Sequence, residues 1–181
     1  MLDAIIGNKL EMSPITLRKV ECRDEFAFKA AINEFKNEAD DFEFAFQYNE
    51  NEEFEKYVEK LEKWSTGNDL PDKFVPSTFL VGVIENKIIG RISIRHILNE
   101  YLFNLGGHVG YGIAPSERKK GYGTQLLKLA LPVVRSIGID KILITADDEN
   151  IASWKIIEKN GGILENTVDN LGKLKRRYWI Y

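Results

Sequence analysis

The sequence predicts an α/β (α+β) fold on a mixed central sheet, with elements in the order β-α-α-β-β-β-α-β-α-β-β. Three observations carry that prediction. Between Ser77 and Leu98, two β-branched apolar runs are split only by Glu85-Asn86, the pattern of a hairpin. A helical repeat from Gly121 to about Ile137 runs into a short apolar stretch at Lys141–Thr145. That strand–helix–strand unit implies some parallel pairing. Finally, 181 residues with 44% apolar and 29% charged side chains match one globular domain spanning 1–181.

Each element has a local reason. Pro14 to Val20 alternates faces and reads as an opening strand. Asp24 is placed to cap a helix running to about Glu38, with a broad stripe of Phe26, Phe28, Ala30, Ala31, Ile32 and Phe35. Asp40 to Phe46 is acidic and aromatic together, with no clear period. Asn51 is placed to cap a second helix, where Phe54, Tyr57, Val58, Leu61 and Trp64 fall at helical spacing. Gly67 to Pro76 is rich in turn residues. After the hairpin comes a loop with Gly106-Gly107, then a strand from His108 to Ile113 whose glycines suggest a bulge or a close backbone approach. In the helix after Gly121, Leu126, Leu127, Ala130, Val133, Val134 and Ile137 form the buried face, and Pro132 should bend it. Asn150 to Asn160 reads as a helix ended by Gly161-Gly162. Strands at Gly162–Val168 and Leu174–Tyr181 close the chain.

Composition narrows the function. The single Cys22 excludes an internal disulfide framework or a Cys-rich zinc site, and two histidines argue against a His-rich metal enzyme. No apolar run approaches the ~18–20 residues of a membrane span, and Met1–Leu10 lacks a secretory pattern. A cytoplasmic protein with no membrane partner is expected. Residues 1–75 hold 10 basic and 18 acidic side chains, and residues 76–181 hold 15 and 10. A chain with halves of opposite sign suits an anion on one half and a cation on the other; chance distribution over helical surfaces explains the imbalance equally well.

The informative stretch is Ile113-Ala114-Pro115-Ser116-Glu117-Arg118-Lys119-Lys120-Gly121-Tyr122-Gly123-Thr124, joining a strand to a helix start. The first helical turn has backbone N–H groups without partners at the positive end of the dipole. Gly121 and Gly123 leave that backbone uncovered, and three cations stand beside it. On physical grounds this is a phosphate or pyrophosphate site, with a basic, Gly-containing turn that holds no ligand as the competing reading. The spacing fits neither a Walker loop nor a dinucleotide fingerprint.

Arg118-Lys119-Lys120-Gly121-Tyr122-Gly123 resembles the R/Q-x-x-G-x-G/A loop of the GNAT superfamily of acetyl-CoA-dependent N-acetyltransferases. Asn150 through Gly162 resembles that superfamily's Asn-led helix ending in Gly, and the element order is similar over nearly the whole chain. Arg95-His96 with Asn99, Gly107–Tyr111 and Arg177–Ile180 resemble a bacterial branch of predicted acetyltransferases. The resemblance implies a GNAT-like fold and transfer of an acetyl group from acetyl-CoA to a primary amine, by direct attack in a ternary complex and without a metal. It implies that the amides of Lys119 to Thr124, with Arg118 beside them, hold the coenzyme A pyrophosphate. Tyr111, Gly112 and Ile113 would offer a strand edge to the pantetheine amides, and the strand would splay from 141–145 to admit that arm. Asn150 would bond the pantetheine, with Ser153 facing it one turn later. One departure stands out. Many members carry a Tyr seven residues after the Asn to protonate the leaving thiolate, and here that position is Ile157.

An ammonium acceptor must lose a proton before attack, so a base of near-neutral pKa helps. His108, at the start of the central strand, is the first choice; a hydrogen-bonded structural His is the competing reading. Glu100 and His96 are second choices. On the acceptor side, Glu38, Asp40, Asp41 and Glu43 with Phe42, Phe44 and Phe46 suit a cationic small-molecule or peptide amine; a solvated loop with core-filling Phe residues is the alternative. The run Lys173, Lys175, Arg176, Arg177 reads as a turn and strand edge, not a nucleic-acid surface. A monomer or homodimer is expected. An acyl-CoA-binding module without turnover, or a nucleotide-phosphate binder, are the rival functions.

Overall fold

The computed structural model describes residues 14–36 and 42–181. Among the described residues, seven strands and four α-helices appear in the expected order: β1 (Thr16–Lys19), α1 (Glu25–Lys36), α2 (Phe54–Ser65), β2 (Ser77–Ile84), β3 (Lys87–Arg95), β4 (Val109–Ile113), α3 (Tyr122–Ser136), β5 (Ile142–Asp147), α4 (Ile151–Lys159), β6 (Ile163–Asn170) and β7 (Lys173–Ile180).

The strands form two antiparallel sheets, β1-β2-β3-β4 and β5-β7-β6. No parallel ladder forms among the described residues. The expected parallel neighbours, β4 and β5, separate after one backbone–backbone hydrogen bond at the mouth, in which the His108 N–H donates to the Leu143 carbonyl at 2.7 Å. A strand that leaves its neighbour this way exposes unpaired backbone along its edge.

Alternation along β2 and β3 builds two cores on opposite faces. Leu80, Ile92 and Ile94 join Leu126, Leu127, Ala130 and Val134 of α3 on one face. Phe79, Val81 and Val83 join Phe28, Phe35, Phe54 and Tyr57 of α1 and α2 on the other. The α3 face is drawn close by Gly82, where a Cβ would stand 2.5 Å from a Leu126 methyl. Pro132 lies inside α3 without ending it.

Several local expectations change. Asp24 does not cap α1. It lies buried in a 3-10 turn (Cys22–Asp24), takes a two-pronged ion pair from Arg18 at 2.6 and 2.7 Å, and accepts the Glu21 N–H. The pairing holds its carboxyl below the ordinary range. Phe26 is 88% exposed, so the α1 stripe is narrower than its apolar content suggested. The position before α2 is held by Glu53, not Asn51, and no side chain caps the helix there. The loop after β3 contains a helical turn at Leu102–Gly106, headed by Asn99, whose Oδ1 accepts the Leu102 N–H at 2.9 Å. The proposed end of α1 at Glu38, with Asp40 and Asp41, lies outside the described residues.

Candidate active site

The loop from β4 to α3 is shaped by two residues of positive φ. Lys119 stands at +62° and Gly121, the residue before α3, at +82°. Left-handed residues turn successive amides to one side. Among the described residues, the backbone N–H groups of 119 to 124 have no protein acceptor. Lys119, Gly121, Gly123 and Thr124 of this run line a cavity of about 600 Å³. Its walls are β4, this loop, α4 and the aromatic pair Phe35 and Phe42.

Ten expected cofactor residues line this one cavity: Tyr111, Gly112, Ile113, Arg118, Lys119, Gly121, Gly123, Thr124, Asn150 and Ser153. Lys120 and Tyr122 do not. The Lys120 ammonium is directed to Glu117 at 2.8 Å, and Tyr122 packs partly against the α3 core. Together with Lys87, Lys120 holds the Glu117 carboxyl below its ordinary value and neutralises the acid on the cavity wall. Gly123 has a packing role as well, since a Cβ there would stand 2.6 Å from an Ile156 methyl of α4.

Two cations on this wall were not foreseen. Lys155 and Lys159 lie four residues apart on α4 and face the cavity with Arg118 and Lys119. Their i, i+4 spacing, in phase with Ala152 and Ile156, was the available signal.

Asn150 caps α4, its Oδ1 accepting the Ser153 N–H at 3.0 Å. The Tyr111 hydroxyl reaches across to the Ser153 carbonyl at 2.9 Å and to the Ser153 hydroxyl at 3.0 Å. Burial pushes the Tyr111 phenol up to about 12. Ile157, where a tyrosine would complete the family motif, is fully buried in the α3 core.

His108 does not line the cavity. Its Nδ1 accepts the Leu143 N–H at 2.9 Å, so it ties β4 to β5 by side chain as well as by backbone. Burial, then the charge of Arg95, lowers its pKa. The neutral ring therefore carries its proton on Nε2, and its lone pair is already engaged. Glu100 begins the helical turn after β3, exposed, with its carbonyl accepting from Asn104. His96 is bonded through Nε2 to the Thr78 hydroxyl at 2.8 Å, and burial lowers its pKa.

The aromatic segment also differs from expectation. Phe44 is buried in the α1–α2 core. Phe42 and Phe46 flank a cation supplied by the protein itself, the Arg91 guanidinium, at 4.4 and 4.7 Å. The basic run near the C-terminus is taken up internally: Lys175 pairs with Asp147, Arg176 with Asp148 and buried Arg177 with Glu165.

Residues 15–163 match the family model described as the acetyltransferase (GNAT) domain. No curated protein matches the chain. Among solved structures, the chain is similar to a ribosomal-protein-S5-alanine acetyltransferase from Vibrio fischeri, at 17% identity, TM-score 0.69 and 92% coverage of each chain. It is similar to the acetyltransferase yncA from Salmonella typhimurium with its cofactor acetyl-CoA, at 14% identity, TM-score 0.59 and 92% coverage of each. It is also similar to a spermidine N-acetyltransferase SpeG chimera from Vibrio cholerae and hSSAT, at 22% identity and TM-score 0.61, covering 93% of this chain and 95% of that one. Identities this low speak to the fold. The family match covers most of the chain, and with it the cavity walls on β4, the Gly loop and α4: the chain belongs to the GNAT acetyltransferase family, whose acetyl donor is acetyl-CoA.

Proposed function

We propose that this protein is an N-acetyltransferase that moves the acetyl group of acetyl-CoA to a primary amine by direct attack in a ternary complex. The observation that carries this reading is the single cavity. It joins unpartnered amides at the start of α3 to the free edge of β4 and sets four cations around them. The residues fit the coenzyme on chemical grounds. Polyanionic phosphates match backbone N–H groups and Arg118, Lys119, Lys155 and Lys159, while an extended amide chain matches a strand edge. Asn150 and Ser153 on the opposite wall supply further polar groups. When bound, the coenzyme supplies the activated acyl carbon.

The protein's residues have three tasks. The β4 backbone near Tyr111–Ile113 donates to the carbonyl as it gains negative charge. The Tyr111–Ser153 hydroxyl pair replaces the tyrosine missing at Ile157. The Ser153 hydroxyl would give its proton to the departing thiolate and take the Tyr111 proton across their 3.0 Å contact, and the proton released by the amine would return through solvent to the Tyr111 oxygen. His108 holds the mouth of the β4–β5 opening as a positioning residue, and Glu100 is the proposed acceptor of the amine's proton. Cys22 is exposed and lies in the turn before α1, away from these walls, which favours direct transfer over an acetyl-cysteine route. A lone exposed thiol also suits a reducing cytoplasm. Among the described residues, no helix is long and apolar enough to cross a membrane.

Ile157 also favours a second reading, an acyl-CoA-binding module without turnover. Thiol release from acetyl-CoA over a panel of primary amines separates the two. Amine-dependent release is expected; tight acetyl-CoA binding with no release on any amine would establish the module.

A further inference from the structure

On the α1–α2 side of β3, two guanidinium groups sit without an acid among the described residues. Arg91 is 2% exposed. Its Nη2 donates to the Glu43 carbonyl at 2.7 Å and its Nη1 to the Gly110 carbonyl at 3.4 Å, while its Nε finds no acceptor. Arg95 donates from Nη1 to the carbonyls of Gly106 and Gly107 at 3.1 and 3.2 Å. Its Nε and Nη2 have no acceptor among the described residues. Neither arginine forms an ion pair there, whereas buried Arg177 on β7 has Glu165 at 3.2 Å. Proteins seldom withdraw a charge from water without pairing it. Burial, and then the nearby Arg95, pull the Arg91 pKa down to about 9, so the two cations oppose each other.

Their place in the fold gives the pair a use. Gly110 faces Arg95, and a Cβ there would lie 3.2 Å from Nη2. The next residue, Tyr111, is where the donor cavity reaches β4. The free Nε–Nη2 edge of Arg95 therefore lies one residue beyond the donor cavity, at the end away from the pyrophosphate loop. That edge is the two-donor fork that matches a carboxylate. We propose that Arg95, with Arg91 behind it, receives an oxyanion of the acceptor, so that the substrate is an amine bearing a carboxylate rather than a polycation. The inference rests on the transferase reading and names its substrate class. It accounts for the missing acid, since the substrate would supply the counter-charge. It also aids the chemistry: cations beside the bound ammonium favour its neutral, nucleophilic form.

The test compares matched acceptors. Thiol release from acetyl-CoA is measured with free α-amino acids, their carboxamides, the corresponding aminoalkylphosphonates, and spermidine. Wild-type kcat/KM is expected to favour the carboxylate members about tenfold or more over amides and spermidine. Phosphonates ahead of carboxylates would replace the carboxylate by a phosphonate-type group and overturn that part of the assignment. Arg95→Gln, which keeps an amide donor for the Gly106 and Gly107 carbonyls, should raise KM for the acids alone and leave acetyl-CoA affinity unchanged. Equal or better use of amides or spermidine overturns the proposal, as does an Arg95→Gln defect shared by every acceptor. The wild-type ratios stand even if the variant fails to fold. Should acetyl-CoA bind and no acceptor turn over, the transferase reading fails. Calorimetric binding of the same acids to the coenzyme A complex then decides the anion site: binding lost in Arg95→Gln supports it, and no binding refutes it.

Discussion

The donor side and the acceptor side of this protein are built from different materials. On the donor side, the polar groups are mainly backbone: the amides of 119 to 124 and the open edge of β4. Their direction is set by two left-handed residues and a helix start, all within one short segment. On the proposed acceptor side, the polar groups are side chains, Arg91 and Arg95, aimed by a strand, with Arg91 framed by Phe42 and Phe46 from a distant loop. Backbone sites recognise a chemistry shared by many ligands, whereas side-chain sites discriminate among them. The contrast fits a common coenzyme and a particular acceptor.

Substitutions that bear on only one side test this division. The largest effect is expected for Gly121→Glu, which covers the amide cradle and adds a negative charge. Acetyl-CoA affinity should fall about a hundredfold or more by calorimetry. Gly121→Ala serves as the backbone control: at φ +82° it should cost about 1 kcal/mol of stability and far less affinity. Unchanged affinity in Gly121→Glu would remove the cradle from the donor site.

Tyr111→Phe and Ser153→Ala come next. Each should lower kcat about a hundredfold with acetyl-CoA affinity little changed, because the hydroxyl pair serves the leaving thiolate. Since the Tyr111 phenol lies up at about 12, its protonated form prevails at all ordinary pH values, and wild-type kcat should show no alkaline loss from this group below that range. A variant with full kcat would return thiolate protonation to water.

Smaller effects are expected for Lys155→Ala and Lys159→Ala. These cations stand at the cavity wall, so each should weaken acetyl-CoA binding about two- to fivefold, with the loss shrinking at high salt. Salt-independent losses would point to altered α4 packing instead.

The smallest effect concerns stability and pH. Burial lowers the folded pKa of His108. Below about 6.5, the unfolded chain takes up a proton that the folded ring resists. Stability is therefore full above that value and falls as pH drops toward the folded pKa. Protonation at Nδ1 also removes the acceptor for the Leu143 N–H. His96, likewise lowered by burial, acts with the same sign, so the comparison is between wild type and His108→Asn. Denaturant titrations at pH 5 and 8 (about the two sides of this window) should show a smaller pH difference in the variant. An equal difference would deny His108 that role.

The unequal legibility of the two sides has the same physical source. The Gly121 loop and the helix led by Asn150 are local: the residues that shape them are neighbours in sequence, so spacing together with the family resemblance pointed to them. The element order was legible for the same reason, through periodicities within single elements. The acceptor side depends on distant residues meeting. Arg91 and Arg95 alternate with Ile92 and Ile94, a pattern that also fits a half-exposed strand. Only the approach of Phe42 and Phe46 shows that Arg91 is enclosed. The composition of the aromatic segment suits a cationic substrate, but the segment already holds the cation of Arg91. Asp24 illustrates the same limit, because its partner Arg18 belongs to another element and outweighed its capping preference. The His108–Leu143 bridge at the mouth of the β4–β5 opening joins residues 35 apart in sequence, which no periodicity encodes.

The proposed reaction is direct transfer from acetyl-CoA held in this cavity to an amine entering beside Arg95. A single-turnover experiment tests it most directly: protein in excess over acetyl-CoA is mixed with a free amino acid, and both the small-molecule product and the intact protein mass are followed. The predicted result is one N-acetylated amine for each acetyl-CoA consumed, with the protein mass unchanged throughout. Tight acetyl-CoA binding without product, or an acetylated Cys22 that forms and decays at the turnover rate, would contradict it.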